Sequence, residues 1–119
     1  MTINIPGVDA EKGLDLYDDD FDIYLSVLRS YLSNTPSALD KLRNVSAETL
    51  QDYAISVHGV KGTSTTIGAE ETRKVAYKLE EMAKAGNLTG VLAGNEAFIK
   101  QVENLLAGIK SWLEKYDAG

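Results

Sequence analysis

Apolar residues along this chain recur at the three- and four-residue spacing of one helix face, and strict alternation never persists. Asp9 to Tyr17 reads as a short first helix that packs Leu14 and Tyr17. Asp18-Asp19-Asp20 reads as the acidic start of a second helix, because carboxylates favour the unpaired N–H groups at a helix N-terminus. Its stripe is Phe21, Tyr24, Leu25, Leu28, Tyr31, Leu32, Ala38, Leu39 and Leu42. A kink is expected at Pro36, whose ring clashes with the carbonyl of Leu32. Asn44-Val45-Ser46 reads as a turn, with Ser46 capping a third helix and Thr49 following three residues on. That helix carries Leu50, Tyr53, Ala54, Val57, Val60, Ser64 and Ile67 on its inner stripe and ends at Gly68. Ala69 to Ala85 forms a fourth, with Val75, Ala76, Leu79, Met82 and Ala83 inward, and Gly86 stops it. The last runs from about Leu88 to Tyr116, with Val91, Phe98, Val102, Leu105, Ile109, Trp112 and Tyr116 on one side.

Four long amphipathic helices with short connections bury their stripes together as a bundle. The expected fold is therefore all-α: a four-helix up-and-down antiparallel bundle with a short extra N-terminal helix, residues 1–119 forming one domain. Phe21, Tyr24, Tyr31, Phe98 and Trp112 sit at core spacing and read as packing. Glu70 with Lys74, and Glu80 with Lys84, stand four residues apart in the favourable order for surface ion pairs.

Composition narrows the chemistry. The net charge of −6 argues against nucleic acid as the main partner. Cysteine is absent and there is a single histidine, which excludes disulfides and thiolate sites and leaves no expected metal site or cofactor. The N-terminus has no basic segment followed by a long apolar run, and no stretch is long enough to span a bilayer. A cytoplasmic monomer without direct membrane contact is the expectation.

The third helix contains what a purely structural helix avoids, in the run His58-Gly59-Val60-Lys61-Gly62-Thr63-Ser64-Thr65-Thr66-Ile67-Gly68-Ala69. Each interior glycine costs about 1 kcal/mol relative to alanine, and the threonines add a smaller penalty. At about 100° per residue, His58 lies well off the apolar stripe and faces the flank or solvent. Gly62, one turn on, leaves a notch beside the imidazole, and Lys61 reaches the same neighbourhood. Imidazole is a competent nucleophile at neutral pH and can take a phosphoryl group in line. Phosphoryl transfer is catalysed mostly by positioning and charge, and this run holds no nucleotide cradle or cluster of metal-binding acids. The pattern reads as a phosphoryl carrier rather than an enzyme acting alone.

The run from His58 to Ala69 resembles the signature of the histidine-containing phosphotransfer (HPt) domain family: His, two residues of which the second is aliphatic, Lys-Gly, a small residue, Ser, two more residues, an aliphatic residue and Gly-Ala. Val75, Leu79-Glu80, Ala83 and Gly86 are similar to the family's fourth helix, and Val8-Asp9 through Leu42 to its leader and second helix. Gly59 departs from the pattern, where a small non-glycine residue is commoner. The resemblance implies that His58 is phosphorylated, through Nε2, that Lys61 assists electrostatically, that Gly62 gives clearance and that Ser64 packs or hydrogen-bonds within the helix. It implies receiver domains of response regulators or hybrid histidine kinases as partners, which supply an aspartate and Mg²⁺. Two other readings stay open: a non-catalytic helical adaptor, and the phosphoacceptor domain of a chemotaxis-type kinase. Arg73, Lys74 and Lys78 read as a solvated face with local ion pairs, with acidic receiver docking as the alternative. An apolar contact patch near His58 would draw on Ile55 and on Leu25 or Leu28.

Overall fold

The computed structural model describes residues 3–119, and among them it forms five helices and no strand. These are α1 (Ala10–Asp15), α2 (Phe21–Asp40), α3 (Leu50–Ile67), α4 (Glu70–Lys84) and α5 (Leu88–Ala118). α2 packs on α3, α3 on α4, α4 on α5, and α5 closes the ring on α2. With such short connections between α3, α4 and α5, neighbours run antiparallel. α1 lies across α2 and α3.

The stripes meet in one core. Tyr24, Leu28, Tyr31 and Leu39 of α2 are buried with Tyr53, Val57, Val60 and Ile67 of α3 and Phe98, Val102 and Ile109 of α5. Leu28 is therefore a core residue with no exposed surface, which removes it as a docking contact. Leu113 takes the core position at the end of α5, whereas Trp112 and Tyr116 are only half-buried. They stack on each other at 5.4 Å and tilt against Phe21.

Several local expectations are corrected. Only Asp20 caps α2, its carboxylate accepting from the Ile23 N–H at 3.1 Å. Asp18 and Asp19 instead have φ of +53° and +62° and turn the chain out of α1, a conformation that aspartate tolerates better than most residues. Pro36 lies inside α2, which continues to Asp40. α3 begins at Leu50, later than a Ser46 cap requires. The Ser46 N–H donates to Thr49 Oγ1 at 2.9 Å, which is the return half of a capping box without the forward half. Glu70 pairs with Arg73 at 2.9 Å, and Lys74 with Glu71, rather than with each other.

The C-terminal end of α3 is pinned from outside the helix. Gly68 has φ +81°, and the Ala69 and Gly68 N–H groups close on the carbonyls of Ser64 and Thr65 in a Schellman turn. The remaining carbonyls find partners on other elements. Tyr17 donates to Thr66 O at 2.9 Å, Tyr24 to Ile67 O at 2.7 Å, and the Asp9 N–H to Gly68 O at 2.8 Å. This clasp leads α3 straight into α4 and fixes which α4 residues stand beside His58.

Candidate functional site

His58 leaves the outer face of α3, and its side chain is 63% exposed. That satisfies the one condition the sequence argument could not do without, since a ring sealed in the bundle would meet no partner. Val57 and Val60 on either side are buried and hold this stretch of α3 against the core. A Cβ placed at Gly62 meets nothing within 4 Å, and neither does one at Gly59. The two glycines leave open space along the face that carries the imidazole. The threonines of this run turn their hydroxyls back onto their own helix: Thr63 to Gly59 O and Val60 O, Thr65 to Lys61 O, Thr66 to Thr63 O.

Ser64 is fully buried, and its Oγ lies 3.0 Å from the Tyr31 hydroxyl. Of the two roles the resemblance implied, packing and a hydrogen bond within its own helix, the structure has the first, with the hydrogen-bond partner on α2. Burial pushes the Tyr31 phenol up to about 12, while the Ser64 contact works the other way, so the phenol is neutral across the physiological range. The pair ties the middle of α2 to α3 about two turns beyond His58.

The residue that sequence reasoning missed is Glu80. It is only 1% exposed, on the inward face of α4 with Ala76, Leu79 and Ala83. Its Oε2 lies 2.6 Å from His58 Nδ1 and 3.1 Å from Lys84 Nζ, and its Oε1 lies 2.6 Å from Lys61 Nζ. Burial alone would raise the pKa of this carboxyl, but the bonds from Lys61, Lys84 and His58 outweigh it and hold it down at about 2. At neutral pH it is therefore a carboxylate with no proton to give, and the 2.6 Å contact is the imidazole donating its Nδ1–H. A neutral ring so held carries its lone pair on Nε2, the nitrogen that Glu80 does not occupy. One signal for Glu80 existed in the sequence: a glutamate at an inward position of an apolar stripe, which is rare unless the charge is paired.

The other expected contributors sort by position. Ile55, one turn before His58, is 72% exposed. It borders a groove of about 310 Å³ between α2 and α3, lined also by Thr35, Ala38, Gly59 and Thr63. Leu25 is half-buried. Arg73 and Lys74 are engaged in local ion pairs along α4, in keeping with a solvated face. Among the described residues no group of three or more acidic, histidine or cysteine side chains could hold a metal ion. Nor is any described helix long and apolar enough to cross a membrane.

The family model of the Hpt domain matches residues 26–112, from α2 through most of α5, with His58 and Glu80 inside the match. The chain belongs to the Hpt domain family. Hpt domains are phosphocarrier modules of two-component phosphorelays, acting with receiver domains, and are not catalysts in their own right. Comparisons with curated proteins and with solved structures yield no match.

Proposed function

We propose that His58 of this Hpt domain takes a phosphoryl group on Nε2 from the aspartyl phosphate of one receiver domain and passes it to the aspartate of another. The observation that carries this reading is an exposed imidazole anchored at Nδ1 by a buried carboxylate, with Nε2 free of partners among the described residues. In the forward step the Nε2 lone pair attacks phosphorus and the bond from phosphorus to the aspartyl oxygen breaks. The aspartate leaves as a carboxylate. The Nδ1 proton stays shared with Glu80, so the ring gains positive charge facing a carboxylate already in place. Charge that develops in the transition state is thus met without reorganisation.

Lys61 adds a cation at the site for the incoming phosphoryl oxygens, and the receiver brings the acid pocket and Mg²⁺. Gly62 and Gly59 clear the approach, and Ser64 supports the helix through Tyr31. Ile55 and the adjoining groove offer apolar contact to a transient partner. Residues 3–119 work as one folded unit, a monomer in the cytoplasm.

The test is incubation with a phosphorylated receiver, followed by measurement of acid-labile, base-stable phosphate on this chain. The wild type should acquire label. His58→Gln should acquire none while keeping its helical circular dichroism. Label on His58→Gln at the wild-type level would show that the acceptor is elsewhere.

A further inference from the structure

Lys61 is held on two sides. Its Nζ meets Glu80 Oε1 at 2.6 Å and stands 5.5 Å from the centroid of the Tyr77 ring. Tyr77 precedes Glu80 by three residues on α4, so the ring and the carboxylate rise from neighbouring positions one turn apart. Tyr77 is 49% exposed and, among the described residues, stacks on no other aromatic ring. Its hydroxyl has no protein partner among them either. A half-exposed aromatic side chain with neither a core role nor a hydrogen bond is left with one specific contact, the lysine ammonium. The negative face of an aromatic ring attracts a cation within about 6 Å.

We propose that Tyr77 is a positioning residue: its ring keeps the Lys61 ammonium against Glu80, so that the cation is in place when the phosphoryl group arrives at His58. The proposal rests on the acceptor reading of His58. A lysine side chain has many rotamers, and an ammonium contacting only one carboxylate at the protein edge spends part of its time in water. A second favourable face narrows that freedom. Lys84 cannot take over, because it contacts the other oxygen, Oε2, which it shares with His58.

The experiment uses phosphoramidate, a small donor that needs no docking surface. The Nε2–P bond forms as the donor's P–N bond breaks and ammonia leaves. Rates are compared for the wild type, Tyr77→Phe, Tyr77→Leu, Lys61→Ala and the double variant Lys61→Ala with Tyr77→Leu. Tyr77→Phe keeps the ring face and should react at the wild-type rate. Tyr77→Leu should react roughly two- to five-fold more slowly. In the Lys61→Ala background the leucine should have no further effect, because the two residues act through one contact. Equal rates for Tyr77→Leu and wild type overturn the proposal. So does the same slowing with and without Lys61, or a defect seen only with receiver donors, which makes Tyr77 a docking contact. The Lys61 side-chain NMR signals give a second readout that needs no phosphorylation. They should be ring-shifted in wild type and Tyr77→Phe and move to the free-lysine position in Tyr77→Leu. A wild type that shows the shift but gains no phosphate at His58 overturns the acceptor reading alone, while absence of the shift overturns the Tyr77 proposal alone.

Discussion

A methyl group added at Gly62 meets nothing within 4 Å beyond its own stretch of helix, yet an interior helical glycine is the costlier choice. Gly62→Ala should therefore raise stability by about 1 kcal/mol in denaturant melts. Gly62→Leu should fold equally well and lose phosphotransfer, because its side chain fills the approach beside His58. Unchanged transfer in the leucine variant would remove the clearance argument. Glu80 poses the opposite problem, a charge that stability alone would not place at an inward position. Glu80→Gln keeps the volume but leaves Lys61 and Lys84 facing a neutral amide. Phosphotransfer should slow about tenfold or more, since a preorganised countercharge is lost. Ring nitrogen NMR should show the protonated Nδ1 form losing its dominance. A rate within twofold of wild type would mean that Glu80 serves packing only.

Helix ends decide whether those residues meet. The His58–Glu80 contact joins α3 to α4 across a connection of two residues, so the register between the helices depends on the Gly68 turn. Gly68 has φ +81°, and a Cβ there would collide with the Asp9 backbone of the N-terminal clasp. Gly68→Ala should destabilise the domain by roughly 2–4 kcal/mol, readable as a lower Tm. Helix spans were legible from periodicity, and the Gly68 and Gly86 stops from glycine's ease in left-handed turns. The start of α3 was not: Ser46 has the chemistry of a cap, but a turn at residues 46–49 engages it first. The partner of Glu70 was equally hidden, because positions three and four residues away are both within reach and side-chain geometry chooses Arg73.

At the scale of the whole molecule, acid should loosen the bundle through Glu80. Its folded value of about 2 lies below the ordinary 4.5, so its contribution is complete above 4.5 and is lost as pH falls toward 2. The loss is on the order of 3 kcal/mol. Denaturation midpoints should fall across that window in the wild type and fall less in Glu80→Gln. Parallel curves would show that the carboxylate is not held as described. The all-helical fold, the stripes and the outward turn of His58 follow from residue order alone, because helical geometry converts spacing into direction over a few residues. The His58-Lys61-Gly62 motif is equally local, since all three lie within five consecutive residues of one helix. Glu80 and Tyr77 are different. They sit about twenty residues away on another helix, and in the sequence Glu80 stands both on the inward stripe and four residues before Lys84, with no sign of which contact it makes with α3. Only the packing of α4 on α3 turns that glutamate into a buried carboxylate shared by two lysines and the histidine. The reason is physical: helical direction is a short-range property of the backbone, whereas the charge environment of an imidazole is set by whatever long-range packing brings within a few ångströms of it.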